Sequence, residues 1–176
     1  MCCKPWLEIP ITNDWYNPKG NTTLVDLEDY ELVREEKWGI TGWGYVGRYA
    51  SATEKADGWG KVILLSRYLV NCNAKDTNTT VDHINRDIFD NRKCNLRIAT
   101  RSQNSMNRPR PKKASSKYKG VFFCKQTGRW KAAIMKDKKS IWIGRFDTEE
   151  AAALAYNKYA NEIFGTFAFL NKVTGT

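Results

Sequence analysis

The residues with the clearest chemical potential lie in one short segment around Asp82-His83, which contains the single histidine of the 176-residue chain. A carboxylate can bind a metal ion, and an imidazole titrates near neutrality, so that it can take a proton from water. Asparagines and arginines follow this pair and could complete a metal site or hold phosphates. The segment therefore indicates a metal-and-base site facing phosphate; the alternative is a turn-rich segment with an incidental histidine.

The elements around this pair decide whether its side chains can act together. Residues 79–84 are predicted to form a strand paired with residues 96–100, and a helix over about 101–107 would return along that hairpin. This helix could place Asn104 opposite the end of the first strand, so that its amide oxygen and the aspartate carboxylate converge on one hard cation. Successive strand residues face opposite sides, so the histidine would face the substrate while its neighbour binds the metal.

The distribution of charge points to a polyanionic partner. The formal net charge is +10, and the 46 residues between Asp90 and Asp137 contain 14 Lys and Arg but no Asp or Glu. A long run of positive charge without acidic residues is destabilised by self-repulsion unless a negatively charged partner binds it. The run has no amphipathic helix pattern, and no apolar stretch approaches the roughly 18 residues of a membrane span. These features favour nucleic acid over a membrane surface.

The sequence pattern divides the chain into three regions. Residues 1–107 combine a β-rich N-terminal part with the Asp82-His83 segment. Residues 108–117, RPRPKKASSK, are predicted to form a basic linker, because two prolines remove backbone donors and the bases repel one another. Residues 118–176 are predicted to form a three-stranded antiparallel sheet packed on one helix. The expected fold class is therefore α+β.

Within the N-terminal region, strands are expected at residues 7–11, 22–26, 43–50 and 61–70, with a short helix over 29–37. In the C-terminal region, Asp147 is the predicted N-cap of the helix, with Glu150 completing a capping box and Gly165 ending the helix. Alternation in the sheet predicts that Trp130, Ala132, Ile134, Ile141 and Ile143 face the helix, and that Lys131, Ala133, Met135, Ser140 and Trp142 face outward.

The segment VDHINRDIFDNRKCNLRIATRSQN resembles the HNH (ββα-metal) nucleases, specifically the phage- and intron-associated homing endonucleases. The resemblance covers about residues 8–108. It implies His83 as the general base, Asp82 and Asn104 as ligands of Mg²⁺ (or Mn²⁺), and Asn95 as the central asparagine that fixes the loop. It also implies cleavage of a phosphodiester to leave a 5′-phosphate.

Two positions depart from that family pattern. Many relatives carry a His-Arg pair on the strand before the motif, where this chain has Ser66-Arg67. The glycine in the turn after Asp-His-Ile-Asn is Arg86 here, which asks a residue with a Cβ atom to make the turn. Neither position belongs to the predicted metal and base set.

The C-terminal region resembles the plant ethylene-response-factor (Apetala-like) domain over about residues 117–171. The matching segments are YKGV from residue 118, GRW from 128, IWIG from 141, FDT from 146, EAA from 150, LAY from 154, FG from 164 and LN from 170. The resemblance implies a three-stranded sheet that lies in the major groove. Several positions that are arginine in plant members are Phe122, Cys124 and Met135 here.

The candidate DNA contacts share a positive charge or an exposed aromatic ring. They are Arg92, Arg97, Arg101, Arg108, Arg110, Lys112, Lys113, Lys119, Arg129, Lys131 and Trp142. For each arginine taken alone, an ordinary surface base is the alternative.

These observations together predict a site-specific, divalent-metal-dependent DNA endonuclease of homing type. Its expected partner is double-stranded DNA, with no membrane and no small-molecule cofactor, and its expected location is the nucleoid-associated cytoplasm of a phage-infected bacterium. One alternative is a non-catalytic, sequence-specific DNA-binding regulator that retains a nuclease scaffold. An RNA-binding basic protein suits the charge, but it does not explain the ordered set of Asp82, His83 and Asn104.

Overall fold

The computed structural model describes residues 5–12, 21–57, 60–72, 78–111 and 114–173. These residues belong to two compact units, Met1–Asn104 and Ser105–Thr176. Within the described residues, no helix is long and apolar enough to cross a membrane.

The N-terminal unit is built from three small antiparallel sheets and short helices. Its elements are β1 (Trp6–Pro10), β2 (Thr22–Asp26), α1 (Leu27–Val33), β3 (Gly39–Ile40), β4 (Val46–Tyr49), α2 (Ala52–Ala56), β5 (Val62–Leu64), α3 (Leu65–Leu69), β6 (Thr79–His83), β7 (Leu96–Thr100) and the start of α4 (Arg101–Met106). Strand β1 pairs with β2, β4 lies between β3 and β5, and β6 forms a hairpin with β7. The predicted order of strand, strand and helix around Asp82-His83 is therefore present.

One hydrophobic core connects the β6–β7 hairpin to the preceding elements. It contains Val25, Trp38 and Leu65, each essentially inaccessible, together with Val81 of β6 and Leu96 of β7. Because the side chains of Val81 and Leu96 point into this core, the intervening residues of the hairpin are held against a rigid support. The hairpin is thus positioned by packing rather than by its own two-stranded ladder.

Two predictions for this unit need correction. Residues 61–70 do not form one strand: β5 ends at Leu64, and α3 begins at Leu65. Leu65 and Leu69 are both buried, as the spacing of one helical turn allows, so core packing overrides the strand pattern. The predicted helix over 29–37 begins earlier and ends at Val33, because Asp26 already occupies the N-cap position in extended conformation.

The C-terminal unit is a three-stranded antiparallel sheet covered on one face by a helix. Its elements are the end of α4, β8 (Val121–Cys124), β9 (Arg129–Lys136), β10 (Lys139–Phe146) and α5 (Glu149–Phe164), with β9 in the centre of the sheet. Ala152 and Ala160 of α5 are fully buried against Ala132 and Ile134 of β9. The small alanines let the helix approach the sheet closely, as the alternation predicted.

The start of α5 differs from the prediction by one residue. Thr148 is the N-cap, and its hydroxyl accepts a hydrogen bond from the backbone N–H of Ala151. Asp147 instead pairs with Arg129 at 3.1 Å, on the surface of the unit. Glu150 is then the second residue of the helix, so it cannot complete a capping box. The predicted end is confirmed, because Gly165 follows the helix with a φ of 53°.

Candidate active site

His83 lies at the end of β6 and is almost completely buried, with 5% of its surface exposed. Its Nε2 atom is 3.1 Å from the Oδ1 atom of Asn91, and the ring of Tyr45 stacks on it with centroids 6.4 Å apart and planes inclined by 28°. Burial lowers the pKa of His83, while the hydrogen bond to Asn91 and the charge of Asp82 oppose that shift. The ring is therefore biased towards its neutral form, in which it can accept a proton.

The hydrogen bonds behind Asn91 decide which nitrogen of His83 carries the proton. The Nδ2 atom of Asn91 donates to the Thr23 hydroxyl at 2.9 Å and to the Ile88 carbonyl at 3.2 Å. The Thr23 hydroxyl in turn donates to the carbonyl of Phe89 at 2.8 Å. Because the amide nitrogen is committed to these acceptors, Oδ1 faces His83 and can only accept. Nε2 is then the protonated nitrogen, and Nδ1 carries the lone pair.

Sequence reasoning assigned no role to Asn91, although the residue stands in the polar stretch that follows the histidine. It is 1% exposed, which marks it as an internal support rather than a surface contact. The amide side chain itself was the clue in the sequence. A buried amide needs partners for both its donor and its acceptor, and the neighbouring imidazole can supply one.

Asn95, predicted to fix the loop, bridges the two ends of the segment between β6 and β7. Its Oδ1 atom accepts from the backbone N–H of Asn85 at 2.9 Å, and its Nδ2 atom donates to the carbonyl of Asp90 at 2.7 Å. The same segment is joined to β2, since Leu24 donates to the Phe89 carbonyl and accepts from the backbone N–H of Asn91. The loop below His83 is thus held from both sides.

Asp82 is buried and forms an ion pair within the hairpin. Arg97 lies directly opposite it in the β6–β7 register. The Nε and Nη2 atoms of Arg97 donate to Oδ2 of Asp82 at 2.8 and 2.5 Å. Arg97, predicted to contact phosphate, therefore neutralises the carboxylate that was predicted to bind the metal.

Asn104 lies on α4, which begins immediately after β7. Its side chain is half-buried, and it makes no side-chain hydrogen bond within the described part of the chain. The hairpin thus carries Asp82, His83 and Asn95, and the following helix carries Asn104.

Within the described residues, one group of three acidic side chains has its oxygen atoms close together: Asp26, Glu28 and Asp29. Lys93 occupies this group. Its backbone N–H donates to Asp26 at 2.7 Å, and its Nζ atom donates to Asp29 at 2.6 Å. The ammonium supplies positive charge to the cluster and ties the loop that contains Asn91 to α1.

The other predicted DNA contacts of the N-terminal unit have different surroundings. Arg92 is paired with Asp90, its Nε atom 2.7 Å from Oδ1, and this hydrogen bond lowers the pKa of Asp90. Arg101 is exposed at the start of α4. Of the two departures from the family pattern, Ser66 is buried on α3, and Arg86 adopts a positive φ of 69° in its turn.

The predicted contacts of the C-terminal unit also divide into engaged and exposed side chains. The Nζ atom of Lys119 donates to the carbonyls of Met106 and Arg108 at 2.6 and 2.7 Å. Arg108 is exposed, and Arg110 is half-buried and donates to the carbonyl of Pro111 at 2.9 Å. Lys112 and Lys113 lie outside the described residues.

The outward face of the sheet carries the remaining candidates. Trp142 is 51% exposed, and the amino group of Lys131 and the guanidinium of Arg145 both lie 5.9 Å from its ring centroid. Arg129 stands at the margin of this face, paired with Asp147. The face opposite α5 therefore presents positive charge around an accessible aromatic ring.

The C-terminal unit is similar to a known family of domains. Residues 116–166 match the AP2 domain family. An AP2-like ethylene-responsive transcription factor of Arabidopsis thaliana is 43% identical over 65 residues, which are 37% of this chain and 13% of that protein. An APETALA2-like protein of Oryza sativa is also 43% identical, over 35% of this chain and 14% of its own length. The C-terminal unit therefore contains an AP2 domain.

A relative that spans both units settles the family of the whole chain. An uncharacterised HNH endonuclease of Acanthamoeba polyphaga mimivirus is 32% identical over 155 residues, covering 88% of this chain and 77% of that protein. The chain belongs to the HNH endonuclease family and combines it with an AP2 domain. No solved structure matches the chain.

Proposed function

We propose that this protein is a site-specific, divalent-metal-dependent DNA endonuclease of homing type. The observation that carries the proposal is the buried His83 beside Asp82, with its Nε2 atom 3.1 Å from Oδ1 of Asn91. The tautomer that we infer from this contact has its lone pair on Nδ1. A neutral imidazole in that tautomer is prepared to accept one proton at one defined atom. The membership of the chain in the HNH endonuclease family supports the same reaction class.

In the proposed reaction, Nδ1 of His83 takes a proton from the attacking water. Asn91 keeps the ring in position while the charge on the imidazolium develops. Its carbonyl oxygen accepts a hydrogen bond from Nε2–H in both protonation states of the ring. Tyr45 covers one ring face and limits the access of other water molecules. Asn95 fixes the loop that supports Asn91, so its contribution is positioning rather than contact with the substrate.

Asp82 and Asn104 are the proposed ligands of Mg²⁺ or Mn²⁺, and their donor chemistry fits such an ion. Both offer oxygen atoms, which hard divalent cations prefer, although Asp82 is also paired with Arg97. A bound ion would stabilise the charge that develops on the phosphate and on the leaving oxygen. Arg97 would then share Asp82 with the ion, and it could turn to a neighbouring phosphate.

The AP2 domain is proposed to choose the DNA site. Its open sheet face and the basic residues around it suit double-stranded DNA, which carries a high density of negative charge. In this assignment, five basic residues contact phosphates: Arg101, Arg108, Arg110, Lys112 and Lys113. The DNA-facing side of the sheet carries Arg129, Lys131 and Trp142.

A non-catalytic DNA-binding regulator is the second candidate, and the Asp82–Arg97 pair is the observation that favours it. A buried carboxylate already neutralised by arginine resists metal binding, since the ion must compete with two short hydrogen bonds. The nuclease scaffold would then serve only as a support for the AP2 domain.

Metal dependence separates the two candidates. We expect the protein to nick supercoiled plasmid that carries its recognition region when Mg²⁺ or Mn²⁺ is present, and chelation to abolish nicking while DNA binding persists. The measurement is conversion of supercoiled to open-circular DNA on a gel, alongside a binding assay with the same plasmid. Asp82→Asn, which lowers the charge of the proposed ligand, should raise the metal concentration needed for half-maximal nicking.

Leu154→Ala is a suitable control in that assay, because Leu154 is an exposed residue of α5, on the side of the sheet opposite the proposed DNA face. It should nick at the unaltered rate. Binding of the plasmid without any nicking across a range of both metals would support the regulator and reject the nuclease.

The tautomer of His83 gives a second test that does not depend on cleavage. Thr23→Val removes the hydroxyl that holds the Asn91 amide and nearly preserves the side-chain volume. We expect the amide to lose its fixed orientation, so that the proton of His83 is no longer confined to Nε2 and nicking slows several-fold. The measurement is a ¹⁵N–¹H multiple-bond correlation spectrum at about pH 8, well above the usual imidazole pKa, which reports one residue because the chain has one histidine.

Thr23→Ser is the matched control, since it keeps the hydroxyl that donates to Phe89 and accepts from Asn91. Its spectrum should retain the Nε2-protonated pattern of the unaltered protein. An identical tautomer in Thr23→Val would show that Asn91 does not depend on Thr23 for its orientation.

A further inference from the structure

The open face of the AP2 sheet carries three exposed apolar side chains. Phe122 of β8 is 40% exposed, Met135 of β9 is 60% exposed and Trp142 of β10 is 51% exposed. Exposure of large apolar side chains to water is unfavourable, and a partner that covers them lowers the free energy. They share one face, because α5 packs on the opposite side, against Ala132 and Ile134.

The register of the three strands gives the order of side chains across this face. Phe122 pairs with Lys131, and Lys131 pairs with Arg145 in the next strand. Trp142 pairs with Ala133, and Met135 pairs with Ser140. The irregularity between Trp142 and Gly144 returns Arg145 to the outward side, where it lies opposite Lys131, and both cations are 5.9 Å from the centroid of the Trp142 ring.

The charges of this face identify the kind of occupant. Its outward residues in the three strands are Phe122, Cys124, Arg129, Lys131, Ala133, Met135, Ser140, Trp142 and Arg145, and none of these is acidic. Apolar side chains interspersed with cations complement a surface that carries both negative charge and apolar groups. The major groove of DNA has that arrangement where thymine methyl groups line its floor between two phosphate backbones.

The types of the exposed residues indicate which base this face contacts. Guanine is read most often by arginine or lysine, and adenine by asparagine or glutamine, whereas the C5-methyl group of thymine is contacted by apolar side chains. Asparagine and glutamine are missing from the outward positions of the three strands. Phe122 and Met135 instead offer surfaces that suit a methyl group.

We propose that Phe122 and Met135 read thymine C5-methyl groups in the major groove, so that the target of this protein is rich in A·T pairs. The inference rests on the proposed DNA-binding role of the AP2 domain. In this assignment Lys131 and Arg145 hold the flanking phosphates and add affinity for every sequence. Specificity then depends on contacts between these exposed apolar side chains and methyl groups rather than on hydrogen bonds to guanine.

Replacing thymine by uracil removes the methyl group alone and leaves base pairing unchanged. The full-length protein is used with chelator present, so that DNA is bound but not cut. Duplexes are selected from a random-sequence pool, and the selected pool is then amplified with either thymidine or deoxyuridine triphosphate. Each lost methyl contact should weaken binding about fourfold, so two contacts should give about 15-fold weaker binding to the uracil pool.

Matched variants assign this difference to particular side chains. Phe122→Ala and Met135→Ala should each reduce the thymine-to-uracil ratio, the affinity for the thymine pool divided by that for the uracil pool, about fourfold. Each substitution removes one side chain that contacts a methyl group. Arg145→Ala should weaken binding to both pools by the same factor. Leu154→Ala, an exposed apolar truncation on α5, should change neither affinity nor ratio.

A thymine-to-uracil ratio close to one, or a selected pool dominated by G·C pairs, would overturn the proposal. If the ratio is unchanged in Phe122→Ala and in Met135→Ala, the exposed apolar side chains do not read methyl groups and the proposal also fails. Loss of the nuclease assignment is a separate result. A protein that never nicks plasmid but prefers thymine over uracil would keep the methyl-reading surface, and the reverse outcome would keep only the nuclease.

Discussion

Replacing His83 with alanine is expected to slow plasmid nicking by about a hundred- to ten-thousandfold, the usual contribution of a general base. The imidazole is the only side chain of its kind in the protein, so no other histidine can substitute for it. Binding to DNA should persist, because the AP2 domain lies in the other compact unit. Single-turnover nicking measured beside equilibrium binding separates the two effects.

Alanine at this position also leaves the Oδ1 atom of Asn91 without its hydrogen-bond donor, in a site that is almost closed to water. Part of any loss of activity could then come from a loosened loop. His83→Gln addresses this point, since the glutamine amide can donate to Asn91 but cannot accept a proton from water. Both variants should slow nicking to a similar extent, with His83→Gln melting closer to the unaltered protein. Nicking by folded His83→Gln at the unaltered rate would remove His83 from the reaction.

Replacing Gly120 with alanine is expected to destabilise the AP2 domain by about 3 kcal/mol or more, from overpacking and left-handed backbone strain together. Gly120 has a φ of 74°, and a Cβ atom there would lie 2.1 Å from Cδ2 of Tyr156 and 2.7 Å from the carbonyl oxygen of Ala133. Tyr156 is buried against the sheet and cannot withdraw without opening the core. Thermal or denaturant unfolding of the full-length protein should show the C-terminal unit melting earlier.

Gly128→Ala is the control for backbone strain without a clash. Gly128 has a φ of 64°, and no atom lies within 4 Å of its added Cβ. This substitution should cost only about 1 kcal/mol, from the left-handed conformation alone. Equal destabilisation by the two substitutions would mean that the close approach of Tyr156 to Gly120 contributes nothing.

The local patterns of the chain predicted much of the fold for identifiable reasons. The three C-terminal strands alternate, except at the irregularity between Trp142 and Gly144, because one face packs on α5 and the other faces solvent. The β6–β7 hairpin and α4 were likewise predicted, since the apolar residues Val81 and Leu96 mark its buried side. The pattern failed at α3, where two short elements share one apolar run and only packing distinguishes them.

Charged side chains were the least predictable part, because a sequence shows a charge but not its partner. Arg97, a predicted phosphate contact, lies opposite Asp82 in the register of two strands and pairs with it. Lys119, a predicted DNA contact, donates its ammonium hydrogens to two backbone carbonyls. Asp147 was expected to cap a helix, yet it pairs with Arg129 while Thr148 caps α5.

By itself, the sequence determined the residue types of the candidate site, their order along the chain and the basic character of the region that follows them. Those features depend on covalent spacing and on local periodicity, which a chain carries before it folds. The tertiary structure alone decided which atom of His83 carries the proton. That choice depends on Asn91 and on Thr23, which lies 68 residues away from Asn91 in sequence, and two such groups meet only when the core has formed.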